Sequence, residues 1–62
     1  MYYGIIIREC TFEYKHEIKI FTHGTNIKHL KTLTNRLNQT AQKQDLLFRY
    51  TFKQIRIDNH VL

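Results

Sequence analysis

The chain has 62 residues, 42% of them hydrophobic, with ten Lys and Arg against five Asp and Glu, for a formal net charge of +5. A chain this short forms one small domain, burying about 60% of its unfolded surface, so its stability margin is thin. One cysteine, Cys10, excludes an internal disulfide framework, and the opening apolar run MYYGIII is far short of the roughly 20 residues a membrane-spanning helix needs.

The lone cysteine and the lack of a basic leader with a cleavage site predict a reducing, cytoplasmic setting. Proline is absent and glycine is limited to Gly4 and Gly24. No linker, low-complexity tract or internal repeat interrupts the chain. Asn38-Gln39-Thr40 matches a glycosylation sequon, which has no use in a chain that is not secreted.

The first predicted strand covers residues 2–10. Tyr3, Ile5 and Ile7 fall on one face and Tyr2 and Ile6 on the other, the pattern of a central strand. Phe12, Tyr14, His16, Ile18 and Ile20 then alternate with Thr11, Glu13, Lys15, Glu17 and Lys19, the pattern of a half-buried strand. A hairpin turn near residues 13–16 separates the two, the alternative being one long bent strand. His23-Gly24-Thr25-Asn26 breaks the alternation. Gly24 suits a positive φ there, and Thr25 or Asn26 suits a helix N-cap. A helix follows over about 26–44, with Ile27, Leu30, Leu33, Thr34, Leu37 and Ala41 in one stripe. The last strand spans about 46–57. Phe48, Tyr50 and Phe52 share one face, Arg49, Thr51 and Lys53 the other. Ile55 and Ile57 then fall out of phase with the aromatic row, which predicts a β-bulge or bend at Lys53-Gln54.

The order is ββαβ. The expected fold is a small α+β domain: a three-stranded sheet in order 2-1-3 with one helix on one face. A single helix leaves the other sheet face and an edge without cover, so the sequence predicts a homodimer through one of them.

The charge is unevenly placed. Residues 18–44 contain no acid and hold Lys19, Lys28, Lys31, Arg36 and Lys43, while the flanks balance. The helix face opposite the apolar stripe carries Lys28, Lys31, Thr32, Asn35, Arg36, Gln39, Gln42 and Lys43. Lys and Arg neutralise phosphates, and Asn, Gln and Arg can also pair with base edges. This face is therefore the candidate binding surface for a nucleic acid, DNA or RNA, or for an acidic protein surface. The alternating stretch RYTFKQIRI at 49–57 is not a stacking platform, because its rings and cations point to opposite sides.

Catalytic and metal readings are weaker. His16, His23, His29 and His60 and Cys10 supply no complete ligand set; only His23 and His29 have a zinc-like spacing. No metal or other cofactor is expected. No G-x-S-x-G, P-loop or G-x-G-x-x-G occurs. A surface nuclease would have to rely on His23 with Lys28 or Arg36, and a Cys10–His16 pair would need to meet across the hairpin. The chain is accordingly read as a non-enzymatic, regulatory nucleic-acid-binding protein. The alternative is a phage or mobile-element product that inhibits a host enzyme or defence complex by direct protein–protein binding.

Overall fold

The computed structural model describes residues 1–57. Four elements follow one another: β1 (Tyr2–Phe12), β2 (Lys15–Gly24), α1 (Ile27–Lys43) and β3 (Phe48–Arg56). The sheet order is β2-β1-β3, and β1 is antiparallel to both neighbours. The ββαβ order and the 2-1-3 sheet are those expected from the sequence.

β1 and β2 form a tight hairpin around Glu13 and Tyr14, with Phe12 opposite Lys15. Glu13 has φ 56°. A two-residue hairpin loop needs a positive φ at its first position to match the strand twist, and here a glutamate supplies it at some steric cost. Gly24, expected to do this at the helix entry, does not: no glycine among the described residues has a positive φ. It lies at the end of β2 opposite Gly4. The sharp turn into α1 is made instead by Asn26, whose side chain accepts a hydrogen bond from the His29 amide at 3.1 Å. At the other end, Leu46 N donates to Ala41 O and Asp45 N to Gln42 O. These bonds make a Schellman cap, with Asp45 at φ 54° where glycine is usual.

α1 is held at two places. Near its start, Leu30 and Ile27 pack over Gly4. A Cβ on Gly4 would lie 2.6 Å from Leu30 Cδ1 and 2.9 Å from Phe52 Cε1, so only glycine admits the helix this close. Further along, Asn38 reaches the outer edge of β3. Its amide donates to Tyr50 O at 2.9 Å and its carbonyl accepts from Tyr50 N at 2.8 Å. One side chain thus takes the place of a neighbouring strand for one residue of β3. Between these points Ile6, Leu30, Ala41 and Thr34 are buried, Ile6 completely. The buried Thr34 hydroxyl donates to Leu30 O at 2.8 Å. Phe48, Tyr50 and Phe52 share the helix side of the sheet with Ile6, Arg8 and Cys10, as their cross-strand pairing requires. Phe21 meets Tyr50 edge-on at 5.3 Å across β1.

Two further expectations fail. β1 and β3 pair in one continuous register from Tyr2↔Arg56 to Cys10↔Phe48, so β3 has no bulge at Lys53-Gln54. Its apolar residues change face where the helix cover ends. Positions 48–52 meet the helix, whereas Ile55 joins the opposite face beside Tyr3. The register shift lies in the other ladder, between Ile6 and Ile7, where Phe21 is the extra residue. Nor is β2 half-buried: every residue from 15 to 21 is exposed. The helix runs from Gly4 towards the far edge of β3 and leaves both faces of β2 open.

Both anchors are testable by urea denaturation. Gly4→Val costs about 1–3 kcal/mol by overpacking the helix–sheet contact. Asn38→Ala costs about 1–3 kcal/mol, because the Tyr50 N–H and C=O lose their shared partner. An unchanged midpoint for either variant would contradict the anchor it removes.

Candidate nucleic-acid interface

The outer face of α1 displays what the sequence assigned to it. Lys28, Lys31, Thr32, Asn35, Arg36, Gln39, Gln42 and Lys43 are all exposed. At 100° per residue they occupy an arc of about 140°, opposite the stripe that meets the sheet. From Lys28 to Lys43 the face is about 22 Å long at 1.5 Å per residue. Ion pairing leaves it alone. Among the described residues the recorded ion pairs are His16–Glu9 at 2.9 Å and Lys19–Glu17 at 3.7 Å, neither involving α1. Lys31 Nζ stands 5.8 Å from the centre of the Phe52 ring, a cation–π contact that keeps its charge. Thr32 is partly committed, its hydroxyl donating to Lys28 O at 3.1 Å.

The acids lie elsewhere. Glu9 sits on the uncovered sheet face with its carboxylate on His16, Glu13 is in the hairpin turn, and Glu17 is on β2. Asp45 lies beyond the helix cap. The acid-free block of the sequence therefore folds into an acid-free face. Lys28 adds a further point. The amino end of a helix carries partial positive charge, which favours acids in the first turn. This first turn has none and carries Lys28 instead. Fold stability gains nothing from that choice.

The weaker chemical candidates come apart in three dimensions. Cys10 lies opposite Glu17 and Phe48 on the helix side of the sheet, while His16 lies opposite Thr11 on the other side. A Cys10–His16 pair is therefore not formed, because a one-residue offset on a strand reverses the face. His16 bonds to Glu9. His23 Nδ1 is hydrogen-bonded to the Tyr3 hydroxyl, with the rings 5.5 Å apart. That bond holds His23 on the sheet face, away from Lys28 and Arg36 on the outer helix face. No group of three His, Cys, Asp or Glu side chains suited to a metal ion occurs among the described residues. His60 lies outside them. No helix among them is long and apolar enough to cross a membrane. A depression of about 370 Å³ is lined by Glu9, Thr11, Leu46, Leu47, Phe48 and Arg49. It brings one carboxylate and one guanidinium together but no nucleophile–base pair.

Two features escaped the sequence pattern. Asn38 falls inside the apolar stripe of α1, and that placement was its one signal. The uncovered sheet face gathers Ile5, Ile7, Ile18, Ile20 and Ile55, with Ile18 and Ile20 60% and 63% exposed. That one helix would leave a sheet face without cover was expected; that the apolar face of β2 would be the one left bare was not. Comparisons with protein-family models, with characterised proteins and with solved structures give no match to this chain.

The helix-end argument carries its own test. Lys28→Glu raises stability by about 0.3–1 kcal/mol at low ionic strength, whereas Lys43→Glu, at the end where cations are favoured, lowers it by a similar amount. Thermal unfolding in dilute buffer measures both. A loss of stability in Lys28→Glu would show that Lys28 is kept for the fold.

Proposed function

We propose that this chain is a non-enzymatic, regulatory nucleic-acid-binding protein, working in the cytoplasm as a homodimer and using the outer face of α1 as its phosphate-binding surface. The observation that supports this reading is the separation of charge. Lys28, Lys31, Arg36 and Lys43 share one exposed helix face, with no acid on the helix and, among the described residues, no ion pair to any of the four. Such a face concentrates positive potential and attracts a polyanion. Asn35, Gln39 and Gln42 lie among the cations and supply donors and acceptors for sugar, phosphate or base edges. Lys28 fits the same reading, being unfavourable for the helix and favourable for a phosphate.

The test is fluorescence anisotropy with mixed-sequence duplex DNA and single-stranded RNA across a salt series. Four neutralised phosphates give a slope of log K against log salt of about −3.6 on duplex, a loss of about a hundredfold between 50 and 200 mM. The triple variant Lys28→Glu/Arg36→Glu/Lys43→Glu abolishes binding while staying folded, because these side chains are exposed. Full affinity in the triple variant, or a slope near zero, rejects the assignment. A discrete protein partner that survives nuclease treatment and is released by the triple variant would replace it with the alternative reading, inhibition of another protein through the same face.

A further inference from the structure

We infer that the second copy docks on the open edge of β2, strand to strand and antiparallel, with Ile18 on the two-fold axis. This rests on the homodimer reading above and specifies its interface.

The two sheet edges are treated differently. The outer edge of β3 is closed at Tyr50 by the Asn38 side chain. β2 is the other edge, and residues 15–21 are exposed on both faces. Lys15, Lys19 and the bulge at Phe21 blunt this edge against indiscriminate pairing, while its exposed isoleucines leave a template for one matched strand.

The hydrogen-bond phase of that edge follows from β3. Tyr50 directs its N–H and C=O outward to Asn38, and Ile57 N bonds to Met1 O at 2.8 Å. Odd residues of β1 therefore bond to β3 and even residues to β2, since antiparallel ladders alternate. Arg8 is paired with Lys19, Cys10 with Glu17 and Phe12 with Lys15. That leaves His16, Ile18 and Ile20 with their backbone groups directed to the free edge.

Self-complementarity then selects the register. The exposed run from 15 to 21 has Ile18 at its midpoint. A two-fold axis there pairs Ile18 with Ile18 of the second copy, and His16 with Ile20 in both directions. These three pairs supply about six main-chain hydrogen bonds. On the helix side of the sheet, Glu17 of each copy lies opposite Lys19 of the other. Both are exposed, and among the described residues of one copy they pair with each other, at 3.7 Å. Moving the axis to Glu17 or Lys19 places like charges face to face. Moving it to His16 runs the strand into the turn at Glu13 and Tyr14. On the uncovered face, Ile18 and Ile20 of both copies join one continuous apolar row. The product is a six-stranded sheet, β3-β1-β2-β2-β1-β3, with both helices on one side.

The experiment combines sedimentation equilibrium with cysteine cross-linking. The wild-type chain sediments at twice its 7.6 kDa mass. In a Cys10→Ser background, Ile18→Cys yields a disulfide-linked dimer on mild oxidation. Its Cα atoms lie about 5.5 Å apart across the axis, within disulfide reach. Glu17→Cys and Lys19→Cys yield none, because each residue is displaced along the strand from its own copy. Glu17→Lys and Lys19→Glu each raise the dimer Kd about tenfold, and the double swap restores it to within about threefold. A monomeric wild type overturns both the interface and the homodimer reading. A wild-type dimer with no cross-link at residue 18, or with unchanged Kd in the single reversals, overturns the β2 interface alone and moves the contact to another surface. The nucleic-acid reading has its own assay and is unaffected by that second outcome.

Discussion

The arrangement depends on how closely α1 approaches Gly4. With no Cβ in the way, Leu30, Ile27 and Phe52 converge over the central strand and bury Ile6 completely. From that fixed point the helix runs to the outer edge of β3, where Asn38 fastens it by two hydrogen bonds. A rod pinned over β1 at one end and beyond β3 at the other lies diagonally. It cannot also cover β2. The bare helix side of β2 follows from that diagonal, and the bare apolar face follows from there being one helix, on the other side of the sheet. So does the small core, since a helix leaning on one and a half strands has little else to bury.

The same placement separates two kinds of surface. The outer face of α1 is polar, cationic and free of acids. The far side of the sheet is apolar at its centre, with Glu9 bonded to His16 there and Arg49 and Lys53 along β3. A charged surface draws partners from a distance and is weakened by salt, whereas an apolar one acts at contact and is largely salt-insensitive. The two are suited to different tasks, and the fold keeps them on opposite sides of a thin two-layer domain.

The elements of the fold and the face of the helix were legible in the sequence because each rests on local periodicity. The 3.6-residue stripe from Ile27 to Ala41 and the aromatic row Phe48, Tyr50, Phe52 each mark one side of one element, and both sides meet as expected. What the sequence could not convey was how far one element would extend over another. Ile18 and Ile20 alternate as a half-buried strand should, yet nothing local records that they share the sheet face opposite the helix, where no element among the described residues covers them. The change of phase at Ile55 was read as a kink for the same reason. Periodicity reports which face is apolar but not where the helix cover ends. Asn38 was obscured by its neighbours, being a polar residue in an apolar stripe whose partner is backbone twelve positions away. The hairpin turn was placed at Glu13, but the positive φ there and at Asp45 was not legible, because composition alone assigns such a φ to glycine.

The dimer geometry bears on how the cationic helices would meet a nucleic acid. Each helix lies over β1 and β3, so in the six-stranded sheet the two axes are separated by four strand spacings, about 19 Å at 4.8 Å each. Two recognition helices that enter successive major grooves on one side of B-DNA must be about 34 Å apart. The edge-paired dimer is too narrow for that arrangement. Its two cationic faces, each about 22 Å long, stand side by side on one surface and form a single positive strip. A strip of this kind follows a phosphate backbone, where affinity comes from neutralised charge and sequence is read weakly. The helix composition agrees, with four cations and several uncharged polar side chains but no Phe, Tyr or Trp to stack on a base. Under the proposed reading, dimerisation through β2 would set two small basic faces side by side and would favour contact with the phosphate backbone over reading of a two-fold operator.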